Sequence, residues 1–89
     1  MAEESHLLEF YGDECGPCKL MKPIVDKLNE EGLNIQRLEV WHDAENAALM
    51  EKYDQGRCGG VPYFYNTKTG KSLCGAQDYE TIKAWAQGA

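Results

Sequence analysis

The tetrapeptide Cys15-Gly16-Pro17-Cys18 offers the clearest chemistry in this sequence. Residues three apart at the start of a helix have Cβ atoms about 5–6 Å apart, so small side-chain adjustments bring two sulfurs to bonding distance. Cys15 falls at the expected amino end of a helix, where unpaired N–H groups and the helix dipole favour a thiolate. We predict that Cys15 is a nucleophile and that Cys18 attacks the mixed disulfide it forms.

The same spacing supplies half of a zinc site, which needs two further ligands. Cys58, Cys74, His6 and His42 are available, but no second Cys-x-x-Cys or closely spaced histidine pair accompanies them. Redox chemistry is therefore the favoured interpretation, with no metal and no bound cofactor. A non-enzymatic cysteine metal-binding module is the alternative, and stoichiometric zinc or iron in anaerobically purified protein would favour it.

The two downstream cysteines have less defined roles. Cys74 lies on a predicted strand, where a cysteine is expected to act as a small buried hydrophobe. Cys58 lies in a glycine-rich loop and could be an accessory thiol or part of a second disulfide, which is the less favoured interpretation. Two free thiols in the oxidised protein would rule out that disulfide.

The elements that must position the dithiol follow the order β-α-β-α-β-β-α. Short apolar runs rich in aromatic residues predict strands, and apolar residues at helical spacing predict helices. A strand-helix-strand start implies a parallel pair with a right-handed crossover, to which the terminal hairpin adds antiparallel strands. The expected fold is α/β, with a four-stranded mixed sheet flanked by helices. The predicted strands are 7–11, 35–40, 63–66 and 71–74, and the predicted helices run from 17 to 31, from the Asp43 cap to Gly56, and from the Asp78 cap onward.

Length and charge exclude several classes of protein. The chain has 89 residues, room for a single domain over 1–89, of which we expect 1–6 to be a short flexible terminus. A net charge of −6 disfavours nucleic-acid binding, because phosphate contacts need clustered basic residues. No apolar run is long enough for a membrane span, and the acidic start is unlike a secretory signal. We therefore expect a cytoplasmic protein with neither nucleic-acid nor membrane partners.

With these elements in place, the sequence resembles the thioredoxin family along nearly its whole length. Cys15-Gly16-Pro17-Cys18-Lys19 is similar to the family's active-site sequence, Pro23 falls at its helix kink, and Gly60-Val61-Pro62 is similar to its cis-proline segment. The resemblance implies a thioredoxin-like fold and a protein-disulfide oxidoreductase that needs no cofactor. It also implies disulfide-containing protein substrates and a thioredoxin-reductase-type electron donor, and we expect a monomer.

The resemblance further implies a substrate groove beside the dithiol. Its walls would be Gly16 and Pro17, the Val61 backbone that pairs with substrate, the adjacent Pro62, and Gly75 after the last strand. The family's tryptophan before the first cysteine is Glu14 here, so Trp41 is a candidate replacement as an apolar substrate contact, with a core role as the alternative. Asp13 and Glu14 are predicted to favour partners with basic residues near their cysteines.

The family's first strand and helix have no counterpart in this sequence, which leaves the minimal layout shared with glutaredoxins. A glutaredoxin-like, glutathione-dependent reductase is therefore a second enzymatic interpretation. The CGPC sequence is more similar to that of thioredoxins, and thioredoxin-like protein-disulfide reduction remains the leading hypothesis.

Glu9 stands six residues before Cys15, at the position of a buried acid in the family pattern. On a central strand its carboxyl would be desolvated, which raises its pKa and lets it relay a proton to or from Cys18 through water. The alternative is a side chain that reaches the surface or pairs with Lys19 or Lys22. Both interpretations stay open at the level of sequence.

Overall fold

The computed structural model describes residues 5–88, and its seven elements follow the predicted order. The bounds differ from the predicted ones by no more than two residues. The expectation for the first four residues lies outside the described residues, whereas Ser5 donates a hydrogen bond to the Asn34 carbonyl. The strands are β1 (Leu7–Tyr11), β2 (Ile35–Glu39), β3 (Tyr63–Asn66) and β4 (Ser72–Cys74), and the helices are α1 (Gly16–Glu30), α2 (Ala44–Asp54) and α3 (Tyr79–Ala86).

The four strands form one mixed sheet in the order β2-β1-β3-β4, which confirms the predicted fold class. β1 pairs with β2 in parallel, and β3 runs antiparallel to both β1 and β4. β1 is therefore a central strand, and β2 lies at an edge of the sheet. The parallel register places Glu9 opposite Arg37, a pairing that matters for the site described below.

Hydrophobic residues pack on both faces of the sheet. Alternation along β1 sends Leu7 to one face, where it packs with residues of α1 and α3, and sends Leu8 and Phe10 to the other, toward α2. Burying each large apolar side chain stabilises the fold by about 1.5–3 kcal/mol relative to leaving it exposed. The buried residues on the face that α1 and α3 cover are Leu7, Met21, Val25, Leu28, Ile35, Phe64, Ile82, Trp85 and Ala86.

The apolar residues at helical spacing within 17–31 are Leu20, Met21, Ile24, Val25 and Leu28, and not all of them face the core. Leu20 shares the helical spacing of the core-facing residues, yet it is 66% exposed. The helix buries the row Met21, Val25 and Leu28, with spacings of four and three residues, and Leu20 lies outside that row. The helix also continues past Pro23 as far as Glu30. In the described part of the chain, no helix combines the length and apolar content that a membrane span needs.

Candidate active site

The structure joins Cys15 and Cys18 in a disulfide at the amino end of α1, with their Cα atoms 5.2 Å apart. Cys15 is the N-cap residue, and its Sγ accepts a hydrogen bond from the Cys18 backbone N–H at 3.2 Å. The Cys15 N–H in turn donates to the Gly12 carbonyl at 3.0 Å, which fixes the turn after β1. A helix N-terminus that already directs an N–H at this sulfur would stabilise the thiolate formed on reduction.

A second loop places the groove residues beside this disulfide. The Val61-Pro62 peptide bond is cis, and the Val61 carbonyl oxygen lies 3.9 Å from Cys15 Sγ. Gly75, with a φ of 87°, donates its N–H to the Pro62 carbonyl at 2.8 Å. A hydrogen bond thus links the predicted groove residues Pro62 and Gly75, and the neighbouring Val61 lies next to Cys15. Gly16 and Pro17 are exposed at the start of α1.

Trp41 lies on the surface beside the dithiol loop rather than in either core. Its side chain is 51% exposed, and its indole ring covers Gly12, where any Cβ atom would overlap the ring. Trp41 also lines a cavity of about 230 Å³ together with Gly60 and Val61. The core alternative for this residue is therefore wrong, and its position adjoins the groove.

The Glu39 carboxylate holds the loops around the dithiol, a feature that the sequence analysis missed. It accepts backbone hydrogen bonds from Asp13 at 3.0 Å, Trp41 at 3.1 Å and His42 at 2.7 Å. Desolvation acts to raise the pKa of Glu39, but these hydrogen bonds outweigh it and hold the pKa below its usual value. The carboxylate thereby fixes the loop that precedes Cys15 against the loop that carries Trp41.

His42 is also more than an ordinary surface histidine. Its Nε2 atom lies 2.7 Å from Oε1 of Glu14, the residue immediately before Cys15. This hydrogen bond and the negative charge of Glu14 raise the pKa of His42. Protonated His42 therefore persists to higher pH than a free histidine would, and its charge beside Glu14 offsets the effect of that carboxylate on a neighbouring thiolate.

Glu9 is fully buried behind the dithiol, and its partner is Arg37. Arg37 Nε donates to Glu9 Oε1 at 2.5 Å, while Arg37 Nη2 lies 3.4 Å from the carbonyl oxygen of Cys18. The alternative interpretation, in which Glu9 reaches the surface or pairs with Lys19 or Lys22, is wrong. The parallel register brings Arg37 directly opposite Glu9, and Lys22 pairs with Asp26 on the surface.

The protonation of Glu9 reflects two opposed effects. Desolvation raises the pKa of the Glu9 carboxyl, and the hydrogen bond and charge of Arg37 offset only part of that increase. Arg37 and Cys18 both line a cavity of about 270 Å³ that opens beside the disulfide. A cavity of this size has room for water next to Cys18 and Arg37, although Glu9 itself does not line it.

Cys58 and Cys74 form a second disulfide, with their Cα atoms 5.5 Å apart. The expectation that Cys74 is a buried hydrophobe is wrong, since Cys74 is exposed at the end of β4. The second disulfide, which the sequence disfavoured, is the observed state. The β3–β4 ladder sets Cys74 opposite Tyr63, close to the loop that carries Cys58.

The fold and the dithiol define a thioredoxin-like disulfide oxidoreductase site, and comparison with known proteins identifies the family. The family model described as Thioredoxin matches residues 1–88. Thioredoxin X of Arabidopsis thaliana chloroplasts is 35% identical over 72 residues, which cover 80% of this chain and 37% of that protein. The thioredoxin of Rickettsia felis is 24% identical over 79 residues, which cover 89% of this chain and 75% of that protein.

A solved structure agrees with these relatives. A mutant thioredoxin from Halobacterium salinarum superimposes with a TM-score of 0.74 and 29% identity, covering 91% of this chain and 70% of that one. The chain therefore belongs to the thioredoxin family. Thioredoxins are protein-disulfide oxidoreductases, and the Cys15–Cys18 pair is consistent with that activity.

Proposed function

We propose that this protein reduces protein disulfides by dithiol exchange, with Cys15 as the nucleophile and Cys18 as the resolving thiol. The observation that carries the proposal is the position of Cys15 Sγ, which caps α1 and lies 3.9 Å from the Val61 carbonyl oxygen. A thiolate at this position adjoins a backbone that an extended peptide can pair with. The sulfur that the helix N-terminus would stabilise as a thiolate is therefore the same sulfur that lies next to the proposed substrate position.

The exchange conserves electrons at each step. The Cys15 thiolate attacks one sulfur of the substrate disulfide, and the other substrate sulfur leaves as a thiolate that takes up a proton. Cys18 then loses its proton and attacks Cys15 Sγ, which forms the observed disulfide and releases the second substrate thiol. Two electrons pass from the protein to the substrate, so an external dithiol donor must reduce the pair again.

The groove supplies substrate contacts on three sides of Cys15 in this proposal. The Val61 backbone pairs with the substrate chain, and Pro62 fixes that segment through its bond with Gly75. Gly16 and Pro17 form a second side of the groove, since they directly follow Cys15 and are exposed at the helix start. Trp41 provides an apolar contact at the outer side, next to Val61 in the same cavity.

Glu9 serves in this proposal as a proton acceptor and donor for Cys18 through water. Support comes from its complete burial, its raised pKa and the link through Arg37 to the Cys18 backbone. A carboxyl whose pKa is raised holds its proton to higher pH than an exposed glutamate does, which suits it to exchange a proton with a thiol. The neighbouring cavity has room for water beside Cys18 and beside Arg37, the residue that contacts the Glu9 carboxyl.

Replacing Glu9 with Gln tests this role, because the amide nearly conserves shape but cannot accept the proton. We expect the rate of Cys18 attack on a preformed mixed disulfide to fall on the order of tenfold to a hundredfold. The pH dependence of that step should also change. Stopped-flow measurements from pH 5 to 9 would show this, with Glu30→Gln as a control because Glu30 is exposed at the far end of α1. An unchanged rate and pH profile would remove Glu9 from the mechanism.

The proposed function is tested by reducing a protein disulfide with two electron sources in parallel. We expect turnover with NADPH and a thioredoxin reductase, and much slower turnover with glutathione and glutathione reductase. Preference for glutathione would instead support the glutaredoxin-like interpretation. Activity with neither source, although chemical dithiols reduce the pair, would contradict both. The cytoplasmic location stays a prediction.

A further inference from the structure

The Cys58–Cys74 disulfide connects the two segments that form the proposed substrate groove. Cys58 lies in the loop between α2 and β3, three residues before Val61. Cys74 is the last residue of β4 and directly precedes Gly75. One covalent bond therefore ties the Val61-Pro62 segment to the strand end that leads into Gly75.

Short contacts connect each cysteine to a groove residue. Cys58 Sγ lies 3.4 Å from the carbonyl oxygen of Gly60, the residue immediately before Val61. On the other side, Gly75 donates its N–H to the Pro62 carbonyl at 2.8 Å. A shift of either sulfur would thus reach the Val61-Pro62 segment through one neighbouring residue.

Only the first part of this loop has a strong anchor of its own. The carboxylate of Asp54, a buried residue at the end of α2, accepts hydrogen bonds from the N–H groups of Cys58 at 2.8 Å and Gly59 at 3.0 Å. Gly59 has a φ of 71°, and Gly60 follows it without a side chain. The backbone between the Asp54 anchor and Val61 is therefore intrinsically permissive, and the disulfide restricts it.

The second disulfide is more accessible than the first. Cys74 is exposed and Cys58 is partly buried, whereas Cys15 and Cys18 are 5% and 1% exposed in the oxidised protein. Both Cys58 and Cys74 line a cavity of about 300 Å³, and Arg57 contributes to the same lining. A small thiol has room to approach, and the Arg57 cation favours the approach of an anionic one.

We propose that Cys58–Cys74 is a second redox couple, opened by small thiols of the glutathione class, whose oxidised state holds the substrate groove in its peptide-binding shape. The inference rests on the proposed function of that groove. Reduction of this couple would loosen the Val61-Pro62 segment and weaken peptide binding without altering the Cys15–Cys18 bond. The protein would then bind its substrates best under conditions that keep Cys58 and Cys74 oxidised.

The opening of this couple is an ordinary two-electron exchange. A thiolate attacks Sγ of the exposed residue Cys74, the bond to Cys58 breaks, and Cys58 leaves as a thiolate that takes up a proton. A second thiol molecule then attacks the mixed disulfide, which frees the Cys74 thiol and forms the oxidised small-molecule disulfide. Two thiols are oxidised for each Cys58–Cys74 bond reduced.

The variant Cys15→Ser/Cys18→Ser isolates this couple, because it leaves Cys58 and Cys74 as the remaining two of the four cysteines. We would equilibrate it in reduced and oxidised glutathione at several ratios, then alkylate it and measure its intact mass. The expected result is a change from no adducts to two adducts while circular dichroism shows a native fold. Opening only in denaturant would overturn the proposal.

The Cys15→Ser/Cys18→Ser variant also shows whether reduction of Cys58–Cys74 changes the substrate groove. On reduction we expect the backbone amide NMR signals of Val61 and Gly75 to shift, and the Kd for an extended peptide carrying an alkylated cysteine to rise about threefold to tenfold. The matched control adds Cys58→Ser and Cys74→Ser, and it should bind the peptide like the reduced form in every buffer. Unchanged signals or an equal Kd in both states would overturn the inference. The NMR signals and the peptide Kd do not depend on turnover. A failure of the proposed disulfide-reductase function would instead appear in the assay with the two electron sources, so the two failures can be distinguished.

Discussion

Replacing Arg37 with Met should destabilise the protein by about 3 kcal/mol at pH 7, because it leaves the buried Glu9 carboxylate without its partner. The methionine keeps much of the apolar stem of Arg37, so the loss reports mainly on the charge. The variant also loses the cation–π contact of the Arg37 guanidinium, whose Cζ atom lies 4.1 Å from the Tyr11 ring centroid. Urea unfolding followed by circular dichroism would measure the change.

The pH dependence of this deficit distinguishes a buried charge from lost packing. The pKa of Glu9 is already raised above its ordinary value of 4.5 in the folded protein, and removal of Arg37 raises it further. Stability from protonated Glu9 is fully present below pH 4.5 and is lost as pH rises through the folded pKa. The deficit of the variant should therefore be small at pH 4 and should grow as the pH rises through the folded pKa of Glu9.

Two controls accompany the Arg37 variant. Lys22→Met removes an exposed ion pair with Asp26 and should cost no more than about 0.5 kcal/mol at any pH. Glu9→Gln/Arg37→Met removes both buried charges and should abolish the pH dependence of the deficit. A deficit that stayed constant from pH 4 to 8 would show that Glu9 is not a buried charge held by Arg37.

Serine in place of Cys15 should lower protein-disulfide turnover by at least about a thousandfold, since a hydroxyl at this position cannot replace the thiolate. Cys18→Ser should also stop turnover, but it should still consume one equivalent of substrate disulfide. The two variants differ because only Cys15 Sγ borders the Val61 carbonyl and receives the Cys18 N–H. The amount of substrate thiol released in a single turnover would separate them.

The order and bounds of the elements followed from local signals in the sequence. Aromatic and apolar runs mark the strands, and Asp43 and Asp78 cap the second and third helices through hydrogen bonds to Asn46 and Thr81. These signals act within a few residues, so they can be recognised without tertiary structure. The exposure of Leu20 could not be recognised in this way, because helical spacing does not show how wide a face the sheet covers.

The partners within the site depend on strand register, which is a long-range property. Arg37 could be matched to Glu9 only after β1 and β2 were paired, and Lys19 and Lys22 appeared closer along the chain. Cys58 likewise meets Cys74 because the β3–β4 hairpin returns the chain to the α2–β3 loop.

The interactions of Glu39 and His42 could not be predicted for the same reason. They join the turn before Cys15 to the loop after β2, two segments that are distant in sequence. The one available signal was the acidic Asp13-Glu14 pair beside the dithiol, which called for a compensating partner.

The most direct test of the account is to locate the bond between enzyme and substrate. Cys18→Ser and Cys15→Ser would each be reduced, mixed with a disulfide-bonded protein substrate, quenched with acid and digested without reductant for mass spectrometry. The account predicts a stable mixed disulfide at Cys15 in the first variant, and far less trapped complex in the second. Equal trapping by both variants, or a complex joined through Cys58 or Cys74, would contradict it.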